Sequence, residues 1–248
     1  MLAPIIPTVD LAEDILREWT ESPEVVAAFL AGSVALGRAA IGSDIDAVIV
    51  YAKVDSAIRE THERRGVTVE LFLHDPDTLA WFWEQDRRFG KPTLARMVAN
   101  GLPIAGAPDI IEELKRQAEA VLTAGPPALD DLEMRARRYA ITDLAADLIP
   151  ERTAAERLAL GARLYTELAD FTVRASGAWS GSGKGLAQAL MRHDPMLAAA
   201  FEHAFTALFT RGDAGEIQAL IDLCLTPFGG RLMAGDRRAA PGDWRVRD

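Results

Sequence analysis

The chain has 248 residues, of which 49% are hydrophobic and 26% charged, and its formal net charge is −10 at pH 7. This composition is typical of a globular protein with a sizeable core, and the acidic balance argues against nucleic acid as the main partner, since phosphate binding usually requires a basic surface. A single cysteine excludes an internal disulfide, and no apolar run reaches the roughly 18–20 residues that cross a bilayer. We therefore expect a cytoplasmic protein that binds neither nucleic acid nor a membrane.

The first half of the chain alternates helix and strand patterns. The predicted elements, in chain order, are a helix at 10–21, a strand at 25–30, a tight turn leading into a short helix at 32–39, strands at 45–51 and 66–74, and helices at 77–89, 92–100 and 108–123. The strand at 66–74 alternates apolar and polar residues, whereas the strand at 45–51 is apolar almost throughout. Beyond residue 74 we expect no further strand.

The second half has a helical period almost throughout, after a break at TAGPPA (123–128). Two prolines and a glycine cannot continue a helix, so this segment is the best candidate for a linker. The helices expected after it cover 129–149, 152–176, 184–192, 195–210 and 214–224. The predicted fold class is α/β (α+β), with a small mixed-sheet domain at 1–123, a helical-bundle domain at 129–228, and a tail at 229–248 that is loop or disordered. Since clefts between domains are the usual place for a site, we expect the chemistry where the two domains meet.

Two aspartates stand where a buried strand is predicted to begin. Ile45 and the run AVIV (47–50) are apolar, yet Asp44 and Asp46 lie at the start of this strand. Burying one unpaired carboxylate is unfavourable, and two together repel each other, so a cation is expected between them. Side chains two residues apart point to the same face of a strand, roughly 6.5–7 Å apart along it. Carboxylates so placed can bridge divalent ions, and Mg²⁺ prefers such oxygen ligands.

A third carboxylate on a neighbouring strand would complete such a site, and Glu70 interrupts the apolar pattern of the strand at 66–74. Each residue has a structural alternative. Ser43 and Asp44 could form a turn, with Asp46 as a solvated charge at the strand end, and Glu70 could lie on the exposed face of an edge strand. The aspartates of the HDPD turn (74–77) are weaker candidates, because aspartate is common in turns.

Upstream of the aspartates, Gly32 and Ser33 stand at the junction of a strand and a helix. Glycine permits close backbone approach, and N–H groups at a helix start attract phosphate oxygens. A phosphate-binding turn and a divalent-metal site together describe a pocket for a nucleotide with Mg²⁺. SGSGKG (180–185) is not a P-loop, because Gly185 follows the lysine where serine or threonine is required. For this segment, a loop that caps the next helix is the structural alternative to a phosphate-binding role.

Gly32-Ser33, then Gly37, then Ser43-Asp44-Ile45-Asp46 resemble the core motif of the DNA polymerase β-like nucleotidyltransferase superfamily. Within it the chain is most similar to the antibiotic (aminoglycoside or lincosamide) nucleotidyltransferase branch, whose members append a helical domain. The resemblance implies a mixed sheet with flanking helices, two Mg²⁺ ions, and transfer of a nucleoside monophosphate from a nucleoside triphosphate such as ATP. It also implies a catalytic role for the domain at 1–123, a link to antibiotic resistance, and a homodimer as a candidate assembly.

The resemblance also implies roles for individual residues. Asp44, Asp46 and Glu70 would hold the metals, and Glu70 would act as ligand, general base or both. The residues that would contact the nucleotide are Gly32, Ser33, Ser43 and Lys184, the last reaching the triphosphate from the helical domain. The competing class is a nucleotide-binding module or antitoxin-type partner without transfer activity.

The acceptor is the least specified part of the prediction. Glu84 lies beside two tryptophans, and Asp143 and Asp147 share one stripe of the helix at 129–149. These three residues could line an acidic pocket for a small, hydroxylated, cationic acceptor such as an aminoglycoside. The alternative is a solvated helix face with local ion pairs.

Overall fold

The computed structural model describes residues 5–149 and 151–237. The chain divides into two compact units, Met1–Pro126 and Pro127–Asp248. This boundary falls inside the segment 123–128 that the sequence indicates as a linker, and the independence of the two domains stays a prediction. Within the described ranges, no helix has both the length and the apolar character that a membrane span requires.

The first unit is built around a five-stranded mixed sheet, which confirms the predicted fold class. Its described elements are α1 (Val9–Thr20), β1 (Val25–Ala31), α2 (Gly32–Ala35), β2 (Ile45–Tyr51), β3 (Ile58–Arg64), β4 (Val67–His74), α3 (Pro76–Phe89), α4 (Thr93–Ala99), β5 (Leu102–Gly106) and α5 (Pro108–Ala124). The strand order is β3-β4-β2-β1-β5. β2 and β4 pair in parallel, and the other three pairs are antiparallel.

Neither of the two edge strands, β3 and β5, was expected from the sequence. The prediction that no strand follows residue 74 is wrong, because β5 pairs with β1 over Leu102–Gly106. β3 has the sequence IRETHER and no buried residue, and β5 is short and contains Pro103. A strand at the edge of a sheet has less apolar surface to bury, so the alternation that marks an inner strand is weak in both segments.

Apolar side chains form a core on each face of this sheet. On one face, Val67, Val69 and Leu71 of β4 pack with residues of β1, β2 and α1. On the other face, Phe29 and Val48 pack with residues of α3, α4 and α5. The sheet is therefore covered by helices on both sides, which explains why β2 is apolar almost throughout.

The second unit is helical in its described part. Its elements are α6 (Asp131–Asp147), α7 (Ala154–Ala175), α8 (Lys184–His193), α9 (Pro195–Arg211), α10 (Gly215–Leu225) and a short 3-10 turn at Thr226–Phe228. All five helices pack around one apolar core. Residues 229–237 of the predicted tail form neither helix nor strand, and residues 238–248 of it lie outside the described residues.

Candidate active site

Three carboxylates meet where β2 and β4 lie side by side. Asp44 directly precedes β2, Asp46 is its second residue, and Glu70 is the fourth residue of β4. The parallel register places Asp46 opposite Glu70. One carboxylate oxygen from each of the three residues lies within 4.8 Å of the other two. Because the fold brings together residues 26 positions apart in the chain (44 to 70), the cluster is a property of the sheet and not of a local turn.

The dimensions of this cluster fit a divalent cation. Three atoms no more than 4.8 Å apart have a common point within about 2.8 Å of each, whereas Mg²⁺–oxygen distances are about 2.0–2.1 Å. A contraction of less than about 1 Å per ligand would therefore close the site around the ion. All three residues are half-buried, so water screens their mutual repulsion only in part, and a bound cation would offset the rest.

Gly32 makes the close approach of Asp46 feasible. It begins α2, where its φ is +67°, and a Cβ added there would lie 2.0 Å from Asp46 Oδ2. A side chain at position 32 would therefore occupy the space of the aspartate carboxylate, and the left-handed backbone is itself unfavourable for any other residue. The observed position of the Asp46 carboxylate therefore requires glycine at position 32.

The other residues predicted to bind nucleotide are placed differently. Ser33 is half-buried in α2, next to Gly32. Ser43 Oγ accepts a hydrogen bond of 2.9 Å from the Ala40 N–H, so this side chain stabilises the turn that leads into Asp44. Lys184 is the first residue of α8 in the second unit. Contacts of Ser33, Ser43 and Lys184 with a nucleotide stay predictions.

A basic residue that the sequence reasoning missed contacts the carboxylate cluster. Arg59 of β3 donates a hydrogen bond of 2.7 Å from Nη2 to Glu70 Oε2, and its guanidinium carbon lies 5.1 Å from the centre of the Phe72 ring. The available signal was the hairpin turn: Arg65 and Gly66 have φ values of 53° and 77°, as a two-residue type I′ turn requires. A polar residue followed by glycine before an apolar alternating strand indicates such a turn, and hence a partner strand that contains Arg59.

The HDPD segment has a structural role in this protein. Asp75 is nearly fully buried, its carboxylate accepts hydrogen bonds from the N–H groups of Thr78 and Val54, and these bonds hold its pKa below the usual range. Asp77 pairs with Lys53 at 3.0 Å. Burial lowers the pKa of His74 to about 4, so this imidazole is neutral near pH 7. The HDPD turn therefore begins α3 and links it to the residues that follow β2.

The predicted acceptor residues are all exposed. Glu84 lies on α3 and is 3.7 Å from Arg87. On α6, Asp147 pairs with Arg152 at 2.8 Å, and Asp143 is exposed. Local ion pairs of this kind are expected if these residues form solvated helix faces. Contact of Glu84, Asp143 and Asp147 with an acceptor stays a prediction.

Comparisons with known proteins point to one domain family. The family model described as a nucleotidyltransferase domain matches residues 10–103, a range that contains Gly32, Ser33 and the three carboxylates. A search among curated proteins gives no significant match. Among solved structures, the chain is similar to a nucleotidyltransferase-like protein from Exiguobacterium sibiricum, with 14% sequence identity over 87% of this chain and 73% of that chain and a TM-score of 0.41. A structural similarity of that size supports no functional argument.

Proposed function

We propose that the protein moves a nucleoside monophosphate from a nucleoside triphosphate to an acceptor hydroxyl in a Mg²⁺-dependent reaction. The match of residues 10–103 to the nucleotidyltransferase domain model supports this proposal. ATP is the proposed donor and AMP the group transferred. The observation that carries this proposal is the cluster of Asp44, Asp46 and Glu70, whose oxygens lie within 4.8 Å of one another. Three converging carboxylates favour transfer over nucleotide binding alone, because two bound cations would act on both the attacking and the leaving oxygen.

The carboxylates are proposed to hold two Mg²⁺ ions through oxygen atoms, as hard cations prefer. Bound cations of this kind lower the pKa of an attacking hydroxyl and offset the charge on a departing pyrophosphate. Asp46 is one of these proposed ligands, and its carboxylate lies in the space that a side chain at position 32 would fill. Glu70 either binds metal or accepts the proton of the acceptor hydroxyl at a carboxylate oxygen, and its Oε2 is already hydrogen-bonded to Arg59.

The nucleotide is proposed to lie against the turn after β1. There, Gly32 gives the triphosphate access to the backbone, and Ser33 adds a hydroxyl donor. Ser43 supports the turn that carries Asp44, and Lys184 is proposed to contact the triphosphate.

The acceptor is proposed to be a small, hydroxylated, cationic compound, such as an aminoglycoside-like antibiotic. The net charge of −10 supports this class, because an acidic surface attracts a polycation and raises its rate of encounter at low salt. Glu84, Asp143 and Asp147 are the proposed contacts.

The test is a screen for pyrophosphate release with four nucleoside triphosphates and a panel of aminoglycosides, lincosamides, nucleotides, proteins and tRNA. We expect release that needs Mg²⁺ or Mn²⁺ and that Glu70→Gln abolishes. Glu60→Gln is the matched control, because Glu60 belongs to the same pair of strands but binds His62. Release that continues without a divalent cation would contradict the proposal, as would full activity of the Glu70→Gln protein.

A second measurement separates the donor from the acceptor. Calorimetry without an acceptor should show triphosphate binding only when Mg²⁺ or Mn²⁺ is present. Binding without turnover of any compound on the panel would favour the nucleotide-binding module. For a cationic acceptor, the KM should rise with ionic strength, and a constant KM would refute the acidic pocket.

A further inference from the structure

Arg59 is fixed beside the carboxylate cluster by two contacts. In the β3–β4 pair, Thr61 lies opposite Glu70 and Arg59 lies opposite Phe72, so Arg59 and Glu70 are diagonal neighbours on one face of the sheet. The guanidinium reaches Glu70 Oε2 at 2.7 Å and lies over the Phe72 ring. Its side chain is nevertheless 60% exposed, against 21% for Glu70.

The charge of Arg59 acts on the cluster in two opposite ways. Without a metal ion, it offsets part of the repulsion among Asp44, Asp46 and Glu70. When a divalent cation enters the cluster, the guanidinium is a like charge beside it and a competitor for Glu70. A unit charge a few ångströms from a divalent ion changes the binding constant by an order of magnitude or more, even where water screens the interaction.

We propose that Arg59 is the counter-ion of the carboxylate cluster in the metal-free protein, and that it weakens divalent-cation binding until a nucleoside triphosphate is bound. The triphosphate offers the exposed guanidinium another anionic partner, because arginine binds phosphate and carboxylate oxygens with the same planar donors. Metal and triphosphate therefore bind cooperatively. This inference rests on the proposed function, since it assumes that the cluster binds metal.

The test measures Mn²⁺ binding to the full-length protein by electron paramagnetic resonance, with and without a non-hydrolysable ATP analogue. Arg59→Met removes the charge but keeps an apolar stem against Phe72, and Arg59→Lys keeps the charge. Arg64→Gln is the matched control, because Arg64 lies on the same strand but pairs with Glu18 of α1. No step of this assay depends on catalytic turnover.

Without nucleotide, we expect Arg59→Met to bind Mn²⁺ about tenfold more tightly than the wild type. Arg59→Lys and Arg64→Gln should bind like the wild type. With the analogue at saturation, the advantage of Arg59→Met should disappear. In EDTA, its melting temperature should be lower than that of the wild type, and Mn²⁺ should raise that temperature more than it does for the wild type.

Equal or weaker Mn²⁺ binding by Arg59→Met would overturn the inference and leave the proposed function intact. An advantage that persists with the analogue bound would overturn the coupling to the triphosphate. If no Mn²⁺ bound to either protein under any condition, the proposed function would fall together with the inference.

Discussion

Replacing Gly32 by alanine should weaken the binding of a divalent cation to the carboxylate cluster while barely affecting the fold. The Cβ added at position 32 would lie 2.0 Å from the Oδ2 atom of Asp46, 3.0 Å from the Cγ atom of Asp46 and 3.2 Å from the Cβ atom of Asp46. Ordinary contacts between heavy atoms are about 3.5–4.0 Å, so the carboxylate oxygen must retreat by more than about 1 Å. Because this oxygen ends a side chain that can rotate about two torsions, the side chain moves in preference to the backbone.

Gly37 provides a matched control for this substitution. Its φ of +64° is close to the +67° of Gly32, but a Cβ at Gly37 would meet no atom within 4 Å. Both alanine variants should lose about 1 kcal/mol of stability, the usual strain of a left-handed residue with a side chain. Only Gly32→Ala should bind Mn²⁺ more weakly, by about 10–100-fold, which is typical when the support of a metal ligand is removed.

Urea unfolding measures the loss of stability, and Mn²⁺ titration followed by electron paramagnetic resonance measures the loss of Mn²⁺ affinity. Wild-type Mn²⁺ affinity in Gly32→Ala would refute the claim that the position of Asp46 requires glycine at position 32. An equal loss of affinity in Gly37→Ala would also refute it, because that loss would come from backbone strain alone.

Three further predictions concern individual aspartates. Asp44→Asn should abolish pyrophosphate release while the melting temperature by scanning fluorimetry stays equal or rises, because one of three repelling carboxylates is lost; a fall of several degrees would contradict this. Burial raises the pKa of Asp86 from 3.8 to about 6, so this carboxyl group binds its proton more tightly in the folded chain than in the unfolded one. Its contribution to stability is therefore present below pH 3.8 and is lost as the pH rises through 6. Urea midpoints measured between pH 4 and 7 should therefore fall more steeply for the wild type than for Asp86→Asn, and parallel profiles would exclude this role. Asp75→Ala should lower the free energy of unfolding by about 1–3 kcal/mol, because it leaves the partly buried N–H groups of Thr78 and Val54 without their acceptor. A loss below about 0.5 kcal/mol in urea unfolding would count against this role.

The inner strands and the carboxylates could be predicted because their signals are local. The apolar run of β2 and the alternation of β4 reflect burial of those strands, and the spacing of Asp44 and Asp46 follows from the strand period. Glu70 needed one further piece of information, the parallel register of β2 and β4, which only the folded sheet shows. Its carboxylate in a largely apolar strand marked it as a candidate, and the register placed it opposite Asp46.

Arg59 and the edge strands could not be predicted in the same way. β3 carries arginine and glutamate on both faces because neither face is buried, so its composition is that of a loop. The ion pair of Arg59 with Glu70 joins residues that are diagonal in the sheet, a relation that follows from the sequence only after the two-residue turn at Arg65 and Gly66 has been recognised. The start of α1 shows the same limit on a small scale: Thr8 caps the helix, whereas Asp10, a residue type that also caps helices, lies in the first turn.

The charges of β3 also bear on association between molecules. An edge strand exposes unpaired N–H and C=O groups that can template pairing with another chain, and natural sheets obstruct this with charged residues or proline. β3 carries four charged residues, Arg59, Glu60, Glu63 and Arg64, and the opposite edge, β5, carries Pro103, which lacks an N–H donor. If a second copy of the chain extended the sheet across β3, the charged side chains of the two β3 strands would have to lie side by side. The arginine that contacts the carboxylates thus also belongs to the barrier that limits the sheet to five strands.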